Sequence, residues 1–271
     1  MRTEPRIDAV IFDWAGTIVD FGSLGPVAAF ADVFEQARVP VSVEEIRKPM
    51  GLGKREHLAR MLYDETIAAR WRALYGAHPG EADVDRLYRA FNQRLLDLLP
   101  QYADPIPGVL DVLTNLKGRG IKIGSTSGYS QEQMELLSRA ALERGVDVDC
   151  IVSASEVKQG RPAPDLSFAC LERLGLPREC VALKVDDTRS GIEEGRNAGL
   201  WTVAVAISGN EVGLSFEEWS ALAAAEQQRL RSRAYESLQV VSPDYTIDSV
   251  ADLGGVISGI ELQLASSRPV P

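Results

Sequence analysis

Ala9-Val10-Ile11-Phe12-Asp13-Trp14-Ala15-Gly16-Thr17-Ile18-Val19-Asp20 begins as an unbroken apolar run, reaches a carboxylate and then turns at a glycine. An apolar run with no polar alternation predicts a strand buried on both faces of a parallel sheet. Such sheets take their ligands at the carboxyl ends of the strands, which is where Asp13 falls. Gly16 and Thr17 follow with backbone amides able to turn toward an anion, so the stretch points to phosphoryl chemistry through an aspartyl-phosphate. A single strand-end Asp can equally cap the next turn. The rest of the chain bears on that choice.

With 271 residues and 45% hydrophobic content, the chain can bury one large core, or a core and a smaller inserted domain. A net charge of −10 argues against nucleic acid and anionic membrane surfaces as partners, because both require a basic footprint. An anionic small-molecule substrate would have to be held by local positive groups. The first residues, Met1-Arg2-Thr3-Glu4-Pro5-Arg6, are charged, and no run of about 18 apolar residues could span a bilayer. A soluble, cytoplasmic protein is expected. Cys150, Cys170 and Cys180 lie in apolar contexts without metal-ligand spacing and read as reduced core residues.

Outward from the first strand, Phe21-Gly22-Ser23 and Gly25-Pro26 make a hinge into a helix carrying Val27, Phe30, Val33 and Phe34. Ser42 and Glu45 form a capping-box pattern for a helix from near Val43 to before Pro49. A glycine-broken loop then leads into a helix bearing Leu58, Met61 and Leu62, followed by helices over Glu65–Tyr75 and Val84–Leu99. Residues 22 to 100 therefore read as wholly helical, with a turn-rich return through Pro105 and Pro107. Beyond Val109, helices alternate with short strands over Ile121–Gly124, Cys150–Val152, Val181–Val185, Thr202–Ala206 and Tyr245–Ile247, the signature of βαβ units. Glu217 to Leu238 predicts one or two exposed helices.

Polar clusters follow these strands. Thr126 and Ser127 offer hydroxyls and amides before a helix, and either can bind a phosphoryl oxygen or merely cap. Lys158 and Arg161 lie in a proline-stiffened loop, each a candidate to stabilise negative charge. Asp186 and Asp187 supply hard oxygen donors suited to Mg²⁺. Lys54 stands in Met50-Gly51-Leu52-Gly53-Lys54-Arg55-Glu56-His57; it is either a solvated lysine opening a helix or an amine that condenses with a carbonyl. His57 lies on the same helical face.

Asp13-Trp14-Ala15-Gly16-Thr17 resembles the first motif of the haloacid dehalogenase superfamily, and Asp13 through Ser23 resembles the phosphonoacetaldehyde hydrolases, which cleave a carbon–phosphorus bond. That resemblance implies a doubly wound α/β core made of residues 1–21 and 101–271, with a helical cap domain inserted at 22–100. It makes Asp13 the nucleophile and Lys54 the Schiff-base residue. Arg161 is the phosphoryl cation within Gly160-Arg161-Pro162-Ala163-Pro164, and Ser127 is favoured over Thr126 at the phosphoryl group. Asp13, Asp187 and the carbonyl of Ala15 become Mg²⁺ ligands. Met50 and Tyr129 line the pocket by that resemblance, while His57, three residues after Lys54, is by its position a candidate to shuttle protons. A homodimer through the cap is also implied.

Phosphatases of the superfamily carry an acid where this chain has Ala15, and many relatives carry one where it has Gly191, with Asp186 as a substitute here. Gly53 and Glu56 also depart from the commonest wording of the lysine segment. Loss of the acid at Ala15 argues against a phosphomonoesterase or sugar-phosphate mutase. Retention of Asp13, Arg161 and Asp187 argues against a catalytically silent scaffold that binds phosphorylated ligands. The favoured expectation is hydrolysis of phosphonoacetaldehyde to acetaldehyde and phosphate.

Overall fold

β1 (Ala9–Phe12) lies inside a six-stranded sheet of order β3-β2-β1-β4-β5-β6, in a computed structural model that describes residues 6–266. The remaining strands are β2 (Lys122–Ser127), β3 (Cys150–Ser153), β4 (Ala182–Asp186), β5 (Trp201–Val205) and β6 (Tyr245–Ile247), and all neighbours pair in parallel. From β1 the chain builds outward to β2 and β3 on one side, then returns to add β4, β5 and β6 on the other. This reversal opens a crevice between β1 and β4 at their carboxyl ends.

Between β1 and β2 run α1 (Leu24–Gln36), α2 (Val43–Arg47), α3 (Lys54–Leu62), α4 (Glu65–Tyr75), α5 (Glu81–Leu98) and then α6 (Val109–Gly118). The first five of these helices share a core containing Phe30, Phe34, Leu58, Leu62, Trp71, Phe91 and Leu95, with the Phe30 and Phe91 rings stacked at 4.2 Å. The Ser42–Glu45 capping box forms as read from the sequence. Asp20 accepts from the amides of Leu24 and Gly25, both at 2.9 Å, and so satisfies the opening turn of α1 where Ser23 makes no side-chain cap.

Helices on both faces explain the uninterrupted apolar run of β1, every residue of which is buried. Val10 and Phe12 share a cluster with residues of α6, of α7 (Gln131–Leu142) and of the C-terminal helix, whereas Ala9 and Ile11 pack with Leu166, Cys170 and Leu171 of α8 (Asp165–Arg173). α9 (Arg189–Asn197) follows β4.

Two helices, α10 (Phe216–Ala221) and α11 (Ala224–Gln239), cover the region read as one or two exposed helices, and α11 buries only Ala234 and Leu238. α12 (Leu253–Ser266) was not foreseen, because Gly254 and Gly255 lower helix propensity in the turn that begins its buried stripe of Leu253, Val256, Ile257 and Ile260. Among the described residues, no helix is long and apolar enough to cross a membrane.

Candidate active site

Sheet register aligns the first parts of the site. Phe12 pairs with Ser125 on one side and Val185 on the other, so Asp13 stands level with Thr126 and Asp186 at the crevice. The Asp13 amide donates to the Val185 carbonyl at 2.9 Å, extending the ladder by one bond. Asp13 is 6% exposed. Burial, and then Asp186, push its carboxyl up to about 6, with Arg161 and Lys184 opposing the shift.

Arg161, preceding a cis peptide to Pro162, spreads its guanidinium over three carboxylates. Its Nη2 lies 2.8 Å from Asp13 Oδ1 and 3.2 Å from Asp186 Oδ2, while Nε lies 2.8 Å from Glu194 Oε2. Lys184, fully buried in β4, pairs with Asp186 at 3.1 Å and Glu194 at 3.6 Å. Burial opposes ionisation of Asp186, but Arg161 and Lys184 outweigh it and hold the carboxyl below its usual range. A planar fork suits this task because Nη2 can bridge Asp13 and Asp186 while Nε, on the other edge, meets Glu194.

The two candidate hydroxyls take different roles. Thr126 is engaged from below by the Lys184 ammonium and by Arg161 Nη2, the latter at 3.2 Å. Ser127 instead lines a cavity together with Asp13, Ala15, Met50, Lys54, Tyr129 and Arg161. Gly16 and Thr17 depart from expectation: their amides donate to the carbonyls of Val19 and Trp14, closing the turn on itself rather than facing an anion.

Lys54 comes from the inserted helices, at the first position of α3. Met50-Gly51-Leu52-Gly53 delivers it: Gly51 has φ +91°, and a Cβ there would lie 2.3 Å from the Thr188 hydroxyl, so only glycine lets this loop sit against the core. The Lys54 ammonium lies 4.9 Å from the Tyr129 ring centre and 4.0 Å from the Met50 sulfur. Burial lowers its pKa to about 8, although Asp13 pulls the other way. The cavity has a volume of about 20 Å³, room for roughly one water. Met50, Gly51 and Lys54 of the inserted segment thus line one small cavity with Asp13, Ser127 and Arg161 of the sheet side.

His57 is not among the residues that line this cavity. It is fully buried, its ring stacked on Phe30 at 3.9 Å, with Nε2 placed 2.8 Å from the Ile46 carbonyl. Nε2 therefore carries the proton, leaving Nδ1 as an unpartnered acceptor. Burial, and then Lys54, hold the ring well below the usual histidine range, so it is neutral.

Asp13, Asp186 and Asp187 bring carboxylate oxygens within 4.8 Å of one another in a buried cluster. Asp187 accepts from the Asn210 amide at 2.8 Å and the Thr17 hydroxyl at 3.3 Å. Burial, Asp13 and Asp186 raise its pKa well above the carboxylate range. Hard oxygen donors crowded against their own repulsion fit a small divalent cation. Asp186 is already held by Arg161, Lys184 and Thr188, which leaves Asp13 and Asp187 better placed to serve as ligands.

Sequence reasoning passed over Lys184 and Glu194. A lysine between Leu183 and Val185 in a central strand was the available signal, since a fully buried ammonium requires carboxylate partners. Glu194 supplies one, itself accepting from the Ser167 hydroxyl.

Residues 10–205 match the family model described as haloacid dehalogenase-like hydrolase. The phosphonoacetaldehyde hydrolase of Paraburkholderia phytofirmans is 44% identical over 265 residues, covering 97% of this chain and 99% of that one. The phosphonoacetaldehyde hydrolase of Bordetella pertussis is 40% identical over 263 residues, covering 97% and 95%. Among solved structures, a phosphonoacetaldehyde hydrolase-like protein from Oleispira antarctica superposes with a TM-score of 0.94 at 42% identity, over 98% of this chain and 96% of that one.

Proposed function

The chain belongs to the phosphonoacetaldehyde hydrolase family of the haloacid dehalogenase-like hydrolases, and we propose that it hydrolyses phosphonoacetaldehyde to acetaldehyde and phosphate through a lysine imine and an aspartyl-phosphate. One observation carries the mechanism: a lysine from the inserted helices and a strand-end aspartate line the same small cavity, with an alanine where an ester-cleaving relative would keep its acid.

The carbon bonded to phosphorus is a poor leaving group unless its electrons have somewhere to go. Lys54, neutral in part near its lowered pKa, attacks the aldehyde carbon, and loss of water leaves an iminium. Asp13 then attacks phosphorus, the carbon–phosphorus pair moves into the enamine, and Arg161 balances the charge gathering on the phosphoryl oxygens. Protonation of the enamine at carbon and addition of water release acetaldehyde and free Lys54. A second water cleaves the aspartyl-phosphate. Ser127 orients the phosphoryl group, and Met50 and Tyr129 enclose the aldehyde end; His57, three residues along α3 from Lys54 and neutral, offers its unpartnered Nδ1 for the proton transfers of imine formation.

A cation, which we take to be Mg²⁺, would be held by Asp13, Asp187 and the carbonyl of Ala15 and would screen the nucleophile from the phosphoryl group. Residues 22–100 act as a cap that opens to admit substrate, since a cavity of about 20 Å³ is too small for it, and closes to exclude water. The protein is read as a cytoplasmic homodimer without nucleic-acid or membrane partners. The ester-cleaving alternative is disfavoured by Ala15, whose side chain has no proton to give.

Acetaldehyde release, followed with a coupled dehydrogenase, tests the reading. Lys54→Ala should abolish it, and borohydride with substrate should fix a mass adduct on Lys54. Intact protein that releases no acetaldehyde, or an adduct on another residue, would sink it.

A further inference from the structure

Arg47, the last residue of α2, reaches both to the start of the inserted segment at Gly22 and across to the core at Asn210 and Gly213. Its Nη1 donates to the Gly22 carbonyl at 2.9 Å, to Asn210 Oδ1 at 3.1 Å and to the Asn210 carbonyl at 3.3 Å, while Nη2 donates to the Gly213 carbonyl at 3.1 Å. Asn210 returns a bond from Nδ2 to the Arg47 carbonyl at 3.4 Å. The backbone amide of the same Asn210 donates to Asp187 Oδ2 at 2.8 Å. A single residue thus stands between α2 and a carboxylate of the candidate cation site.

The seat is shaped for a guanidinium. Gly213 has φ +67°, and a Cβ there would fall 2.5 Å from Arg47 Cζ, so a side chain at that position would displace the fork. The four acceptors are neutral oxygens, which makes direction rather than charge the recognised quantity. Charge is balanced at longer range by Asp187, Asp20 and Glu211. Among the described residues, the other hydrogen bonds from the loop beyond α2 to the core are longer: Ser190 to the Met50 carbonyl at 3.4 Å and Arg161 to the Gly51 carbonyl at 3.5 Å. Arg47 therefore carries most of the directed bonding that seats this loop.

We infer that Arg47 and Asn210 form a closure latch, in which seating the inserted helices brings the guanidinium onto Asn210 and so fixes both the loop that presents Lys54 and the carboxylate of Asp187. Gly22 places the hinge after β1 under the same fork. Both are positioning residues, acting through Lys54 and Asp187, and this role rests on the reading that Lys54 and Asp13 serve one substrate.

Arg47→Lys keeps a cation but loses the fork, and Asn210→Ala keeps the amide to Asp187 but loses the side-chain contacts. In hydrogen–deuterium exchange of the full-length proteins without substrate, each should speed exchange across residues 48–62 by roughly ten- to a hundredfold, the range expected for losing hydrogen bonds to a charged group. The sheet strands should exchange as in the unaltered protein. With phosphonoacetaldehyde, KM should rise more than kcat falls, and the yield of borohydride adduct on Lys54 should drop. Unaltered exchange over 48–62 in both variants overturns the latch. A uniform rise across the sheet also overturns it, because the pair would then be ordinary supports of the fold. Should unaltered protein release no acetaldehyde, the activity reading fails, while the exchange comparison still judges the latch.

Discussion

A Cβ on Gly191 would lie 2.0 Å from Oδ2 of Asp186, so these two positions occupy one space. Asp186 fills the room a side chain at position 191 would need, and it is tied there to Arg161, Lys184 and Thr188. Gly191→Asp alone forces an extra carboxylate into a filled and already negative site and should destabilise by about 1–3 kcal/mol from overpacking alone. Combining it with Asp186→Gly should recover part of that loss. Denaturant midpoints in a double-mutant cycle check this, and simple additivity would refute it.

With Lys54 as the proposed imine-forming amine, its ionisation should set the pH response of adduct formation. Its folded pKa is lowered to about 8, so the ammonium prevails below that value and the nucleophilic amine above it. The initial rate of borohydride-trapped adduct should fall roughly tenfold for each pH unit below 8 and level off above it. A midpoint near the ordinary lysine value, about 10.4, would show that closure does not desolvate the amine.

Lys184→Met removes a fully buried ammonium from between Asp186 and Glu194 and leaves their charge less compensated. Breaking such a pair should cost about 3–5 kcal/mol, read from chemical denaturation. A loss below about 1 kcal/mol would mean that Arg161 alone suffices for both acids.

Arg161→Lys retains charge but cannot reach Asp13, Asp186 and Glu194 at once. Acetaldehyde release should fall by about a hundredfold or more. Near-normal turnover would assign the phosphoryl charge to another group.

Cation binding should be visible without turnover. Mg²⁺ that binds only the folded protein raises its melting temperature, by the equivalent of about 2.7 kcal/mol at a hundred times its dissociation constant. Asp187→Asn should lose that increment, since it removes a charge from the carboxylate cluster. An equal increment in both proteins would place the cation elsewhere.

Much of the frame is local and therefore readable from sequence. The apolar run of β1, the Ser42 and Ser130 capping boxes and the helical stripes of the insert depend on residues close in the chain. α12 escaped because its glycines mask a periodicity that only burial against the sheet reveals. Lys184 and Glu194 escaped because each looks like an ordinary solvated charge until β4 and α9 bury them together.

Sequence by itself determined the alternating strand–helix order, the helical insertion after β1 and the residue types available for chemistry, because period, capping and turn preference are short-range properties of the chain. It could not choose between Thr126 and Ser127. Strand alternation turns neighbouring side chains to opposite faces, and only the packed sheet decides that Lys184 engages the threonine while the serine meets the cavity. Tertiary structure also decided that Arg47 should rest on Asn210, 163 positions away, and that Lys54 should lose its water beside Asp13. Those outcomes depend on direction and desolvation across elements that meet only when the chain is folded.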